Sequence, residues 1–521
     1  MIASTRPGIE MNASHHTFTL RRPVQALLLA LAAGAAQAAP GAPADAPFAE
    51  GWFTDTAAAS PAAKDQAQDQ DQDPLREPAS PAAPGPLLKE DARPFKSYGA
   101  AALEIAAFQI ALNRIDHAFV KPDDYRVTMG SIRRNLHSSW VEDRDPFEIN
   151  QLGHPYQGSV YYNLARSNGL TFWESLGYAF AGSAVWEIAG ETTPPSRNDQ
   201  ITTSFGGSFL GEALYRMASL VLDGGDGSKP LLRETGAAIV SPGMGFNRQS
   251  GRSRRAAALW AGATPATFGR LQLGASNPSN SNVGPSLATK RREVAADFAL
   301  EYGLPGKEGY TYHKPFDYFA FGARVSNVNG LESLSSRGLL YGAPYSPGNK
   351  LHGIAGLYGS YDYLSPQLFR IASTGVSLGS NLQWWLADGL ALQGHASAGV
   401  GYTSTGTIRA SSAGQYNYGF APQSALGLRL ILGDRLSFDL RARAFFDGRV
   451  ANPETDGTDR VLRGDASVSY RVAGPHALTV KYLTSRRRFS FPSVLETQQR
   501  HDSVGLYYSY QPSGGMGAVK W

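Results

Sequence analysis

The sequence predicts an α+β membrane protein: a helical N-terminal layer followed by a roughly twelve-stranded antiparallel transmembrane β-barrel. Three observations predict it. From about Thr267 to Gln511, apolar and polar residues alternate in runs of roughly ten to fifteen residues. Short turns and long loops alternate between those runs. An apolar leader ending in a small-residue cleavage site opens the chain.

The leader comes first. Arg21 and Arg22 precede the apolar run Val24–Ala33, which is too short to cross a bilayer as a helix. Ala36-Gln37-Ala38 is an A-x-A site, so residues 1–38 read as a signal peptide cut after Ala38, with Met11 as an alternative start. The chain of 521 residues has no cysteine, which excludes disulfides, a thiolate metal site and a lipid anchor on a cysteine. Residues 39–93 are rich in Ala, Pro, Asp and Gln; they bury too little apolar surface to offset ordering and read as a disordered linker.

Residues 94–255 carry helical signals. Ser97–Phe119 reads as a helix with Leu103, Ala107, Ile110 and Ile115 on one broad face. Thr171-Phe172-Trp173-Glu174 is a capping box opening a helix to about Ile188. Asp199 is placed to cap a further helix to about Leu220. Small residues (Gly177, Ala181, Gly182, then Gly206, Gly207, Gly211) let these helices approach closely. The domain is expected in the periplasm or inserted in the barrel.

Residues 256–521 form the barrel. Strands are expected near 267–275, 292–303, 314–328, 333–344, 350–363, 369–386, 389–403, 415–431, 434–448, 459–472, 476–490 and 500–511. In Arg435–Asp447, Leu436, Phe438, Leu440, Ala442, Ala444 and Phe446 share one face. Arg435, Ser437, Asp439, Arg441, Arg443 and Asp447 share the other, with Phe445 the exception. Apolar lipid outside and a wet lumen inside explain that split, and closure leaves no unpaired edge in lipid. The turns at 387–389, 433–434 and 473–475 are short and periplasmic; 404–414, 449–458 and 491–499 are longer and extracellular. Trp384, Trp385, Tyr402, Tyr470, Tyr508 and Tyr510 are candidate interface aromatics. A mean hydropathy of −0.26 excludes a helical membrane protein. The formal charge of +4 comes with no basic block, so no nucleic-acid partner is expected.

The densest polar residues lie in the helical part: Asn150 to Gly158, Trp186 to Glu191, Asn198 to Gly207, and Gly211 to Arg216. His154, Glu187, Glu191 and Asp199 are the catalytic candidates. One imidazole and two or three carboxylates could form an acid–base pair or hold a divalent metal, although no cofactor is required. Glu187 and Glu191 share a face if the helix continues through both. Asn150, Asn198, Thr202, Glu212 and Arg216 would support the site. Each has a structural reading as well: His154 braces a turn, Asp199 caps a helix, and Glu212 pairs with Arg216 at i,i+4. In the lumen, Asp297, Glu301, His395, Arg441, Arg443, Arg463, Asp465, Arg471 and Lys481 are expected to face inward, either tuning permeation or bracing a closed barrel. No nucleophile elbow, phosphate loop or H-E-x-x-H motif is present.

The series H-P-Y-x-G at His154, W-E-x-x-x-E at Trp186, N-D-x-x-T-T at Asn198 and G-E-x-x-Y-R at Gly211, followed by a barrel, resembles an uncharacterised family of Gram-negative outer-membrane proteins containing a domain of unknown function. The resemblance covers about Phe147 to Asp223 and implies location and architecture, with no reaction attached. The expected partners are outer-membrane lipid and lipopolysaccharide, and the barrel-assembly machinery during biogenesis. Three functions stay open: an outer-membrane barrel serving envelope structure or selective transport; a membrane-embedded enzyme acting on lipid, lipopolysaccharide or envelope glycan; and a surface binding module built on the long loops.

Overall fold

The computed structural model describes residues 96–119, 123–223, 230–250, 264–282, 292–366, 369–407, 416–447, 457–491 and 494–521. The leader and linker expected at 1–38 and 39–93 lie outside these residues, as does most of two long loops, at 408–415 and 448–456.

Twelve strands close into one antiparallel barrel: β1 Thr267–Asn282, β2 Glu293–Tyr302, β3 Phe319–Ser326, β4 Gly330–Tyr345, β5 Leu351–Leu364, β6 Phe369–Ala387, β7 Leu390–Thr407, β8 Tyr416–Leu432, β9 Leu436–Asp447, β10 Thr458–Ala473, β11 His476–Phe491 and β12 Val494–Tyr510. Each strand pairs with its neighbours in sequence, and β1 pairs with β12 to close the ring. The expected strand count and alternation hold. Three boundaries differ most. β1 runs on to Asn282, past the expected end near 275. β3 begins at Phe319, not near 314, because Phe316 takes a positive φ of 67° and the Asp317 carboxylate accepts from the His313 and Lys314 amides at 2.9 and 2.7 Å. The third long loop, expected at 491–499, is mostly taken up by the start of β12.

Ion pairs between strands that are not neighbours fix which face is inside, because only the lumen lets them meet. Arg270 of β1 reaches Asp439 of β9 at 3.3 Å, and Arg429 of β8 lies 3.6 Å from Glu301 of β2. Arg443 of β9 meets Asp362 of β5, and Arg463 of β10 meets Glu332 of β4. Residues of the opposite parity therefore point outward. On β9, Phe438, Leu440 and Phe446 do so and are exposed, while Phe445 is buried under the Arg443 guanidinium, 4.9 Å from its ring. Outward apolar residues continue along β10, β11 and β12 as Val468, Tyr470, Leu478, Val480, Val504, Leu506 and Tyr508. A band of this kind is stable only against hydrocarbon.

Among the described residues, eight helices precede the barrel: α1 Tyr98–Phe119, α2 Met129–His137, α3 His154–Ser167, α4 Phe172–Ala189, α5 Arg197–Ile201, α6 Gly207–Asp223, α7 Pro230–Val240 and α8 Pro242–Gln249. Two π-helical turns interrupt them, Ile149–Gly153 before α3 and Thr202–Gly206 between α5 and α6. None of the described helices is long and apolar enough to cross a membrane. The Thr171 capping box at the start of α4 forms as expected.

The helices are not inserted in the lumen, and they do not simply hang below the barrel. They pack on its outer wall. Tyr361 and Tyr363 flank the inward Asp362, so they point outward, yet both are buried. Outward Phe298, Phe319, Phe321, Leu334, Tyr361 and Tyr418, from β2, β3, β4, β5 and β8, join one apolar core with Tyr162, Phe172, Phe209 and Leu210 of the helices. Ser336 donates to the Phe209 carbonyl at 2.7 Å, and Arg216 reaches Asp317 at 3.1 Å. Parts of the wall from β2 to β8 are thus covered, while Leu378, Val400 and Phe420 on β6, β7 and β8 stay exposed, as does the wall of β9 to β12.

The apolar face expected on α1 forms, and it is turned away from the rest of the protein. Leu103, Ile110 and Ile115 are 70%, 64% and 53% exposed, whereas Glu104 and Gln109 are buried. Glu104 accepts from Asn168 and Asn247 at 2.6 and 2.9 Å; Gln109 donates to the Gly182 carbonyl at 2.6 Å. The polar groups turn inward, where buried partners satisfy them. Helices α3 and α6 cross at Gly158 and Gly207, where a Cβ on Gly158 would overlap the Thr203 carbonyl oxygen and one on Gly207 would lie 2.7 Å from the Gly158 Cα.

Candidate functional site

Two polar assemblies stand out. The first fills the lumen. Arg324 is its hub, meeting Glu293, Asp297 and Glu332 at 2.7 Å each. Lys481 joins Asp297 at 3.1 Å, and Asp439 bridges Arg270 and Arg429 at 3.3 and 2.8 Å. A cavity of about 280 Å³ remains between them, lined among others by Asp297, Glu301, Arg337, His395, Arg441 and Asp465. A second of about 60 Å³ shares Glu301, His395 and Arg441 and extends toward Gln393 and Asp439. Of the residues expected to face the lumen, Asp297, Glu301, His395, Arg441, Arg443, Arg463, Asp465 and Lys481 line the larger cavity. Arg471 lies nearer the short turns and bonds the Gly514 carbonyl. The alternation that found these residues also runs through Arg270, Arg324, Arg337, Arg429 and Asp362, which were missed.

Beside the smaller cavity, residues 516–521 sit in the barrel mouth. Beyond β12 the tail turns back, and Gln383 and Gln393, inward on β6 and β7, donate to the Val519 and Gly517 carbonyls at 2.6 and 2.7 Å. Met516 packs on Ala391 and Ile431, and Val519 on Phe268 and Leu304. Trp521 donates to the Asn349 carbonyl at 2.9 Å and stands edge-on to Trp385, which therefore faces the mouth rather than lipid. Tyr402 is also no interface aromatic: it stacks on Tyr418 against the helical layer, whereas Trp384, Tyr470 and Tyr508 are exposed outward.

The second assembly lies between the helices and the barrel wall, where the two π turns meet. A π turn widens the helix by one residue, and here each delivers polar side chains to one place. Asn150 donates to Asp143 and to the Tyr416 hydroxyl at 2.8 and 2.9 Å. Gln151 and Asn198 both donate to the Tyr418 hydroxyl at 2.8 Å. Tyr361 donates to the Gln151 carbonyl at 2.5 Å, and Thr202 to the Asn198 carbonyl at 2.9 Å. Tyr361, Tyr416 and Tyr418 gave no sequence signal, because an outward tyrosine on a strand reads as a lipid-facing one.

His154 opens α3 beside this network. Its Nε2 lies 3.9 Å from Asp199 Oδ1, and its buried Nδ1 has no partner. Two expectations are corrected nearby. Ser196, not Asp199, caps α5: its Oγ accepts from the Asp199 amide at 3.2 Å, which puts Asp199 in the first turn. Glu187 and Glu191 do not share a helix face, because α4 ends at Ala189 with Gly190 as its C-cap. Glu187 accepts from the Ser196 amide at 2.8 Å, while Glu191 turns back to Trp186 Nε1 at 2.5 Å and Thr193 at 2.9 Å. Burial pushes the Glu187 and Asp199 carboxyls well above the usual carboxylate range; Asp199 and Glu191 add to the effect on Glu187, and Asp143 adds to that on Asp199. Burial also raises Glu191, against the pull of His154, and lifts Asp116 to about 6. Among the described residues no three His, Asp or Glu side chains are grouped to hold a metal ion.

Glu212 belongs to a separate lock. It accepts from Tyr162, Arg166 and Arg216 at 2.8, 2.9 and 2.8 Å. Burial raises its carboxyl, but the two guanidiniums outweigh burial and hold it below the usual range.

A closed twelve-stranded barrel with an apolar outer band and a charged interior defines the class: a transmembrane β-barrel, here with a helical layer on its flank. Residues 139–243 match a family described as a domain of unknown function, DUF3943. No curated protein matches the chain. Among solved structures, the outer-membrane channel DcaP of Acinetobacter baumannii is 10% identical, with 47% of this chain and 96% of that one covered and a TM-score of 0.24. The NanC porin is 9% identical, over 46% and 98%, at 0.24. An anion-selective porin from Comamonas acidovorans is 8% identical, over 48% and 99%, at 0.21. Scores this low carry no argument; the barrel rests on its own strand pairing.

Proposed function

We propose that this chain is a bacterial outer-membrane barrel that passes small polar solutes along a narrow, charge-lined path. On this reading the C-terminal tail closes the path at its periplasmic mouth, and the helical layer thickens one wall within the membrane plane. The observation that carries the proposal is the pair of neighbouring cavities between lumen ion pairs, which share Glu301, His395 and Arg441 in their walls, with the tail seated beyond them on Gln383 and Gln393. Both signs of charge line the path, so size and local pairing, more than net charge, set what passes. The test is conductance of the full chain in planar bilayers against the double variant Gln383→Ala, Gln393→Ala, which unseats the tail without shortening it. A rise in unit conductance supports the path. Equal, negligible conductance in both leaves the lumen as a brace and the protein with a role in envelope structure.

A second reading rests on the unpartnered Nδ1 of His154 beside the Asp199 carboxyl, behind a layer whose outside is apolar. There a lipid-soluble substrate would meet an imidazole base oriented by Asp199. Mass spectrometry of envelope lipids from cells carrying the wild type or His154→Ala tests it; identical lipid profiles would remove it.

A further inference from the structure

The bare side of the barrel carries charges where lipid should meet it. Arg487 bonds Asp459 through Nε at 3.0 and 3.1 Å inside the lumen, so Arg486 and Arg488 on either side of it point outward. By the same alternation Arg460, next to Asp459, and Arg500, next to the inward His501, point outward too. Register brings the four together. Arg460 lies opposite Arg488, Arg486 lies opposite Arg500, and Arg486 and Arg488 are two apart on one face of β11. Arg460, Arg486 and Arg488 are exposed. Like charges directly opposite across a ladder are destabilising. Asp502 meets Arg500 at 2.6 Å and offsets part of this. What remains is a grid of guanidiniums on three adjacent strands.

Its height matters. Leu478 marks the apolar wall near the short turns, and Arg486 lies eight residues further along the same strand. Eight residues span about 27 Å along a strand, or about 20 Å of height at a typical barrel tilt. The grid therefore sits near the top of an apolar band that is about 25 Å tall in such barrels, at the level of headgroups. Guanidiniums bind phosphate in a bidentate fork.

We propose that Arg460, Arg486, Arg488 and Arg500 form a binding site for the phosphate groups of a phosphorylated glycolipid in the outer leaflet, the chemistry of lipopolysaccharide. The assignment rests on the outer-membrane reading above.

The test uses the full chain, with lipopolysaccharide, dephosphorylated lipopolysaccharide and inorganic phosphate as probes. Retained lipid is quantified by fatty-acid analysis after detergent gel filtration. Heat-modifiable mobility reports the barrel, and flotation with phosphatidylcholine vesicles reports membrane insertion. The expected result is retention of the phosphorylated form only, falling about tenfold or more in the variant with Arg460, Arg486, Arg488 and Arg500 changed to Gln, with high salt weakening it in the wild type. Should that variant not assemble, Arg486→Gln alone is expected to lower retention by about tenfold. Undiminished retention in an assembled variant, equal retention of the dephosphorylated form, or displacement of the lipid by inorganic phosphate at matched concentration overturns the assignment. A chain that does not float sinks the membrane reading and this site together; one that floats but retains no lipid sinks the site alone.

Discussion

Replacing Glu212 by Gln should free the helical layer while leaving the barrel standing. Glu212 is fully buried and compensates two guanidiniums: Arg166, which also donates to the Leu170 carbonyl at 2.9 Å, and Arg216, which keeps Asp317. At a protein-like effective dielectric each charge pair is worth about 4 kcal/mol. Removing the buried carboxylate charge recovers part of that, and the retained Asp317 limits the loss at Arg216. Breaking a buried pair from one side costs about 3–5 kcal/mol net, and we take that range here. Since opening populations scale tenfold per 1.4 kcal/mol, proteolysis within the helical layer should accelerate roughly a hundredfold or more in Glu212→Gln. The assay is limited proteolysis of the refolded protein, with heat-modifiable mobility reporting the barrel. A cleavage rate within about threefold of the wild type would refute the claim that this lock holds the layer.

Gly158→Ala should undock α3 from the second π turn, because the new methyl meets backbone at Thr203; a loss of about 1–3 kcal/mol or more is expected, whereas Gly177→Ala, with open space around it, should be neutral or stabilising by up to about 1 kcal/mol. Urea denaturation followed by tryptophan fluorescence of α4 separates the two. The pH dependence has a definite sign. Asp116 has a folded pKa of about 6, above its unfolded value near 4, so the folded layer holds the proton more tightly and loses stability as pH rises between about 4 and 6. Glu187 and Asp199 are raised as well and continue that loss to higher pH. Asp116→Asn should remove the step ending near pH 6, read as protection of layer amides against pH; an unchanged profile counts against the assignment.

Much of this fold was written in its alternation. Strand period and charge placed β9 correctly down to Phe445, because a barrel wall imposes two opposite solvents on alternate residues. Two local signals were legible but overlooked: Ser196 with Asp199 three residues later is a helix-start pattern, and Gly190 is a helix stop. The face of α1 was legible, but not its direction. Amphipathicity tells which residues share a side, and the surroundings decide which side is buried, so the exposure of Leu103 and the burial of Glu104 could not be read from the period alone. The meeting of Asn150, Asn198 and Tyr418 could not be read at all: the last two are separated by 220 residues and are joined only when β8 curves round to the helices.

The placement of the layer also bears on how the ring is completed. The helices lean on β2 to β8, whereas the seam between β1 and β12 carries exposed Leu273 and Leu506 on its outer face. The helices come first in the chain, so they can serve as a ready template on which the early hairpins line up. The seam that joins first strand to last lies on the open flank, clear of the helices.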